Sequence, residues 1–188
     1  MTEWSWFARP EVRASARVAI LLLPTIAYSI WSPRIGVADF FLLRRHWSGG
    51  IRVGALVAAT HLILLVAAAS SLGRLEPRLP TDIASWLNFI VGSPFGEELL
   101  FRGFVLRRVL LSFDAPVAVA VSATAFASIH IPSWVLTGDG IGPELVVDFA
   151  TMLLYGVIFG VVVLASRSLW ASLIPHWGNN LIAVALGG

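Results

Sequence analysis

Apolar residues run along this chain in long blocks, broken by short clusters that hold nearly all the charge. Crossing a hydrocarbon core of about 30 Å takes roughly twenty mainly apolar residues in a helix. Val18 to Pro33 carries no charge and extends backwards through Ala14, Ser15 and Ala16. It is expected to be a helix and not a signal core. Val53 to Gly73 has His61 as its one ionisable group. Ile83 to Gly96 meets Ser93-Pro94 and continues as Glu97 to Leu111, with Pro94 where a new helical turn can begin. Ala115 to Gly138 contains only His130, Phe149 to Ser166 only the phenol of Tyr155, and Ser168 to Gly188 only His176. The blocks lack the alternation of a membrane barrel, and a bilayer offers no water to an open backbone. The expectation is therefore all-α: a polytopic transmembrane bundle of about six main helices, with Asp39 to Leu43 as a short interfacial element. Gly156 and Gly160, four residues apart, are placed to admit a neighbouring helix closely.

Composition strengthens this reading, since 57% of the residues are hydrophobic, 13% are charged and the mean hydropathy is +0.84. Too little polar material is present to coat a water-soluble domain. The 188 residues show no linker or internal repeat, so a single transmembrane domain over residues 1–188 is expected. Cysteine is absent, which excludes disulfides and thiolate metal sites. All thirteen basic residues are Arg, a usage compatible with a G+C-rich genome and hence with a prokaryotic cell membrane. They flank the apolar blocks and form no basic face, which argues against a nucleic-acid partner. With six alternating spans, seven Arg fall on one side and five on the other, a slender positive-inside bias.

Charges inside hydrocarbon are expensive, so an intramembrane acid or histidine marks a functional hypothesis. Glu97 and Glu98 lie in Phe95-Gly96-Glu97-Glu98-Leu99-Leu100-Phe101-Arg102-Gly103. Adjacent helical residues point about 100° apart, so the two carboxylates are not expected to face one partner. Glu98 and Arg102 have the favoured i, i+4 order for an ion pair. Glu97 is then the carboxylate left over, suited to act as a general base. Phe126 precedes His130 by one turn, and His176 precedes Asn180 by one turn, stacking an imidazole and a carboxamide on one face. A lone histidine near a helix end is more often a hydrogen-bonded core residue than a catalyst. His61 shows no partner in the sequence and is left outside the site.

Glu97-Glu98-x-x-x-Arg102, Phe126-x-x-x-His130 and His176-x-x-x-Asn180 together resemble the three ordered motifs of the CPBP intramembrane proteases, which include the CAAX prenyl endopeptidases and the Abi-type proteins. The resemblance covers about residues 83–185, the expected catalytic core, and the amino-terminal half carries no comparable signature.

The resemblance implies peptide-bond hydrolysis on a peptide or protein substrate, one that membrane anchoring would bring to the site. Glu97 and His130 would activate water, His176 and Asn180 would stabilise the oxyanion, and Glu98, Arg102 and Phe126 would support them. Ser128 is two residues from His130 and faces elsewhere on a helix, so no Ser-His nucleophile is expected. A metal-free site is favoured. The rival is a catalytic Zn²⁺ held by Glu97, His130 and His176, although Asn180 is a poor zinc ligand. Two other classes compete: a non-catalytic membrane scaffold of the same family, and a proton-coupled transporter component, for which the paired broken helices of a repeated fold are missing.

Overall fold

The computed structural model describes residues 41–44, 46–71, 94–137 and 142–185, with short stretches between 19 and 39 and Trp86. These residues form α1 Trp47–Ser71, α2 Pro94–Glu98, a π-helical segment Leu99–Val105, α3 Leu106–Val109, α4 Ala115–Ser128, α5 Ile131–Thr137, α6 Pro143–Ser166 and α7 Trp170–Ala185. The described fold is all-α, as the apolar blocks predict.

The helix boundaries have local causes. Asp114 caps α4 by accepting a hydrogen bond from the Val117 amide at 3.2 Å, with Pro116 in the first turn. Pro132 has no amide hydrogen to give the carbonyl of Ser128, and the chain turns between α4 and α5 just before it. Arg167 ends α6 in the left-handed region at φ 54° and donates its amide to Val163 O at 2.8 Å. Pro175 stands inside α7, so the carbonyl of Ala171 loses its helical partner one residue before His176.

Two close helix pairs frame the molecule. α4 and α6 run antiparallel: a Cβ on Gly156 would come within 2.7 Å of Ala123 Cα, and one on Gly160 within 3.3 Å of Val119. The four-residue glycine spacing therefore marks a true helix contact. α1 and α7 run parallel, with Gly54 against the carbonyl of Trp170 and Gly178 against Ala58. The residues before α1 brace the start of α7, where Leu169 N donates to Leu42 O at 3.2 Å and Trp170 Nε1 to Leu43 O at 2.9 Å. Phe41, Leu99, Leu106, Ala118, Val119, Val163, Leu169 and Leu173 make the main buried cluster.

The six-span expectation is corrected. Among the described residues, three helices are long and apolar enough to cross a membrane: Trp47–Ser71, Ala115–Val135 taken through its turn, and Pro143–Ser166. α7 has 16 residues, which at 1.5 Å per residue is about 24 Å and short of the hydrocarbon thickness. The 94–109 segment is interrupted by the π-helical turn and loaded with Glu97, Glu98, Arg102, Arg107 and Arg108. Most of the Val18 to Pro33 block, and the Ile83 to Ser93 part of the fourth, lie outside the described residues. Of the Asp39 to Leu43 element, a turn closed by Leu42 N to Asp39 O at 3.2 Å is followed by a bend at Leu43 and Arg44.

Candidate active site

α2 delivers Glu97 and Glu98 into the bundle, and the π-helical turn that follows carries Arg102 back toward them. A π turn widens the backbone by one residue and recurs at functional positions in helices. Glu97, Glu98, Arg102 and His176 are 1%, 0%, 0% and 5% exposed, so four ionisable side chains are buried together. Such burial is tolerated only where the groups compensate one another. Arg102 Nη1 donates to Glu98 Oε1 at 2.9 Å, the i, i+4 pair expected from the sequence. Its guanidinium is clamped between aromatic rings, 4.2 Å from the centre of Phe126 and 5.3 Å from that of Phe159.

His176 is the centre of the cluster. Its Nδ1 lies 2.8 Å from Glu98 Oε1, and its Nε2 lies 3.7 Å from Glu97 Oε2. A carboxylate only accepts, so Nδ1 carries the proton in its bond to Glu98. The two adjacent glutamates thus approach the same partner, contrary to the expectation from their angular separation. An imidazole has two nitrogens on different edges, so Glu98 bonds Nδ1 while Glu97 stands 3.7 Å from Nε2.

Phe126 links the remaining parts. Its ring is edge-on to Phe101, His130 and His176, with centroid separations of 5.6, 5.2 and 5.9 Å. His130 presents Nδ1 to the Phe126 carbonyl at 3.0 Å, which assigns the hydrogen to that nitrogen because a carbonyl only accepts. Glu97, Glu98, Arg102, Phe126 and His176 are therefore brought together directly, and His130 joins them through Phe126. Asn180 is half-buried one turn beyond His176, without a hydrogen bond to these residues. Ser128 donates to Thr124 O at 2.8 Å within its own helix.

Three neighbours escaped the sequence reading. Phe159 packs on His176 with centroids 5.5 Å apart. Trp134 stacks on His130. His61 has a partner after all, with its Nε2 2.7 Å from Tyr155 Oη. That pair lines an apolar cavity of about 390 Å³ whose wall also includes Phe159 and Pro175. One signal was available: Phe159 falls four residues after Tyr155, so one helical face carries both rings.

The family model for type II CAAX prenyl endopeptidase Rce1-like proteins matches residues 79–182, more than half of the chain. The chain belongs to this family. All three motif segments fall inside the matched region, and the buried cluster of Glu97, Glu98 and His176 gives this CPBP member the machinery of an enzyme, an intramembrane hydrolase of the protease type. No curated protein and no solved structure matches the chain.

The zinc alternative is overturned. Among the described residues, no group of three or more His, Cys, Asp or Glu side chains is arranged to hold a metal ion. The Phe126 ring packs against both histidines, with centroids 5.2 Å from His130 and 5.9 Å from His176. The Arg102 cation already neutralises the glutamate nearest His176. Glu97, His130 and His176 do not form a ligand set, and no step of the chemistry is assigned to a metal.

Proposed function

We propose that the protein is an intramembrane endopeptidase in which Glu97 and His130 activate water and His176 and Asn180 stabilise the oxyanion. The observation that carries this reading is the buried array Glu97···His176–Glu98–Arg102 in a chain of this family. Glu97 is a carboxylate with a nearby imidazole at 3.7 Å, a separation too long for a hydrogen bond and suited to sharing a third group. In the first step the Glu97 carboxylate takes a proton from water while the oxygen attacks the scissile carbonyl carbon. The carbonyl oxygen becomes an oxyanion that receives hydrogen bonds from His176 Nε2 and the Asn180 carboxamide. Nδ1–H of His176 is committed to Glu98, so donation from Nε2 requires the ring to carry both protons. Glu97 then passes its proton to the leaving nitrogen, the C–N bond breaks, and a carboxylic acid and an amine separate.

The substrate in this reading is a peptide or protein segment anchored at the membrane, met by a multi-pass protein of a prokaryotic cell membrane. The chain acts as one transmembrane domain, and residues 83–185 carry the chemistry. The test uses purified protein in lipid nanodiscs and a library of membrane-anchored peptides. Wild type should cleave a subset of them. Glu97→Gln keeps the shape of the side chain and removes the base, so it should remain folded and lose cleavage by a factor of about 10² or more. Full cellular function of Glu97→Gln would instead make the protein a scaffold.

A further inference from the structure

His130 is useful to water activation only if its ring is held with Nε2 turned toward the reacting centre. Three of its contacts bear on the orientation of that ring. Nδ1 donates to Phe126 O at 3.0 Å, which leaves Nε2 as the basic nitrogen. The Phe126 ring meets it edge-on at 5.2 Å and 67°. On another side the ring of Trp134 stacks with centroids 5.7 Å apart and planes inclined by 28°. Trp134 reaches this position through the helix restart: its amide bonds to His130 O at 3.2 Å, one turn on, immediately after the break at Pro132. The backbone that ends α4 therefore also places an indole over the imidazole of its last turn. Phe126 belongs to the three motifs that the sequence singles out, whereas Trp134 lies outside them.

We infer that Trp134 is a positioning residue for catalysis, one whose stacking holds the His130 ring in the orientation and tautomer that water activation needs. This rests on the role given to His130 above. The carbonyl contact fixes one atom of the imidazole, and a turn about that bond is resisted by the rings packed on it, the edge of Phe126 and the face of Trp134. A flat aromatic face against the ring removes the turn, within the range of about 4.5–7 Å between centroids typical of aromatic pairs. Losing it lets the ring rotate and sample the other tautomer, and misplacement of a catalytic group by about 1 Å can cost up to a hundredfold in rate.

The experiment compares Trp134→Leu, which keeps an apolar side chain without a ring, and Trp134→Phe, which keeps an aromatic face. Trp134 is only half-buried in the middle of the short helix α5, and the Phe variant covers the case in which Leu impairs folding. On a peptide that wild type cleaves, kcat of Trp134→Leu should fall about tenfold or more with KM changed less than about threefold. Trp134→Phe should recover to within about threefold of wild type. The double variant His130→Gln/Trp134→Leu should be no slower than His130→Gln alone, because the indole acts through that histidine. A readout that needs no turnover is the ¹⁵N spectrum of ring-labelled histidine, with His130 assigned by its loss in His130→Gln. Wild type should show a protonated Nδ1 and a bare Nε2, and Trp134→Leu an average of two tautomers. Unchanged ring signals and kcat in Trp134→Leu, or multiplied losses in the double variant, would overturn the inference. Altered ring signals in a protein that cleaves nothing would uphold the ring-holding role while defeating the hydrolase reading.

Discussion

His176 is held by a chain of charges, Arg102 to Glu98 to the imidazole, and each link is buried. Removing the cation alone strands a carboxylate in low dielectric, at an order of about 3–5 kcal/mol. Arg102→Leu should therefore be markedly less stable than wild type. Glu98→Gln/Arg102→Leu, which keeps an amide oxygen for His176 Nδ1, should recover part of the loss. Thermal unfolding of the three proteins in the same detergent checks the order, and equal midpoints for Arg102→Leu and wild type would show that the pair is not buried. At the reacting end, His176→Ala and Asn180→Ala should each lower kcat about a hundredfold with a smaller change in KM. If steady-state kinetics give the reverse split, the two side chains bind substrate and do not stabilise the oxyanion.

Between elements, tolerance is set by how closely backbones approach. A side chain on Gly156 would meet both the backbone and the side chain of Ala123 within 3.1 Å, and the carbonyl of Gly156 lies 3.5 Å from Arg102 Nη2. Gly156→Val should push α6 off α4 and cost about 1–3 kcal/mol, with cleavage falling alongside because Arg102 loses a neighbour. Gly49 sits in α1, and a Cβ added there would meet nothing within 4 Å. Gly49→Ala should be neutral or stabilising by up to about 1 kcal/mol through helix propensity, so unfolding midpoints should fall for Gly156→Val and not for Gly49→Ala. This contrast also shows how far the sequence was legible. Spacing alone identified Gly156 and Gly160 as a contact face and Glu98–Arg102 as a pair, because both depend on one helix. The second bond of Glu98, to a histidine 78 residues away, and the Tyr155–His61 pair, 94 residues apart, arise from packing between helices that no periodicity encodes. The π-helical turn was equally hidden: Leu99 to Val105 holds Gly103, a weak helix former, but nothing in the segment specifies a π turn over an ordinary helical one.

At the scale of the whole molecule, the described residues bury a charged set beside the apolar core and leave many large apolar side chains exposed. The buried charged set is Glu97, Glu98, Arg102 and His176, while Leu56, Ile63, Leu64, Leu154 and Val161 are more than half exposed. In water such a surface would be a liability, but against lipid it is the expected exterior. The blocks of the sequence revealed the apolar helices. Among the described residues three helices qualify as spans, because a stretch can be apolar and yet too short or too broken to cross. The exposed apolar side chains give a prediction that separates a membrane protein from a merely greasy one. Leu154 is 59% exposed, near the middle of α6, and stands outside the wall of the His61–Tyr155 cavity. On a wetted surface, Leu154→Arg would be nearly silent, since exposed substitutions away from special features usually change stability by less than about 0.5 kcal/mol. In a bilayer the same change places a cation near the centre of the hydrocarbon, at about 2.5–3.5 kcal/mol by insertion measurements. The fraction of protein integrated into the membrane, read by resistance to alkaline extraction, should drop for Leu154→Arg and stay unchanged for Leu154→Phe. Equal integration of the arginine variant and wild type would mean that this face of α6 meets water, and the intramembrane placement of the Glu97 cluster beside it would have to be abandoned.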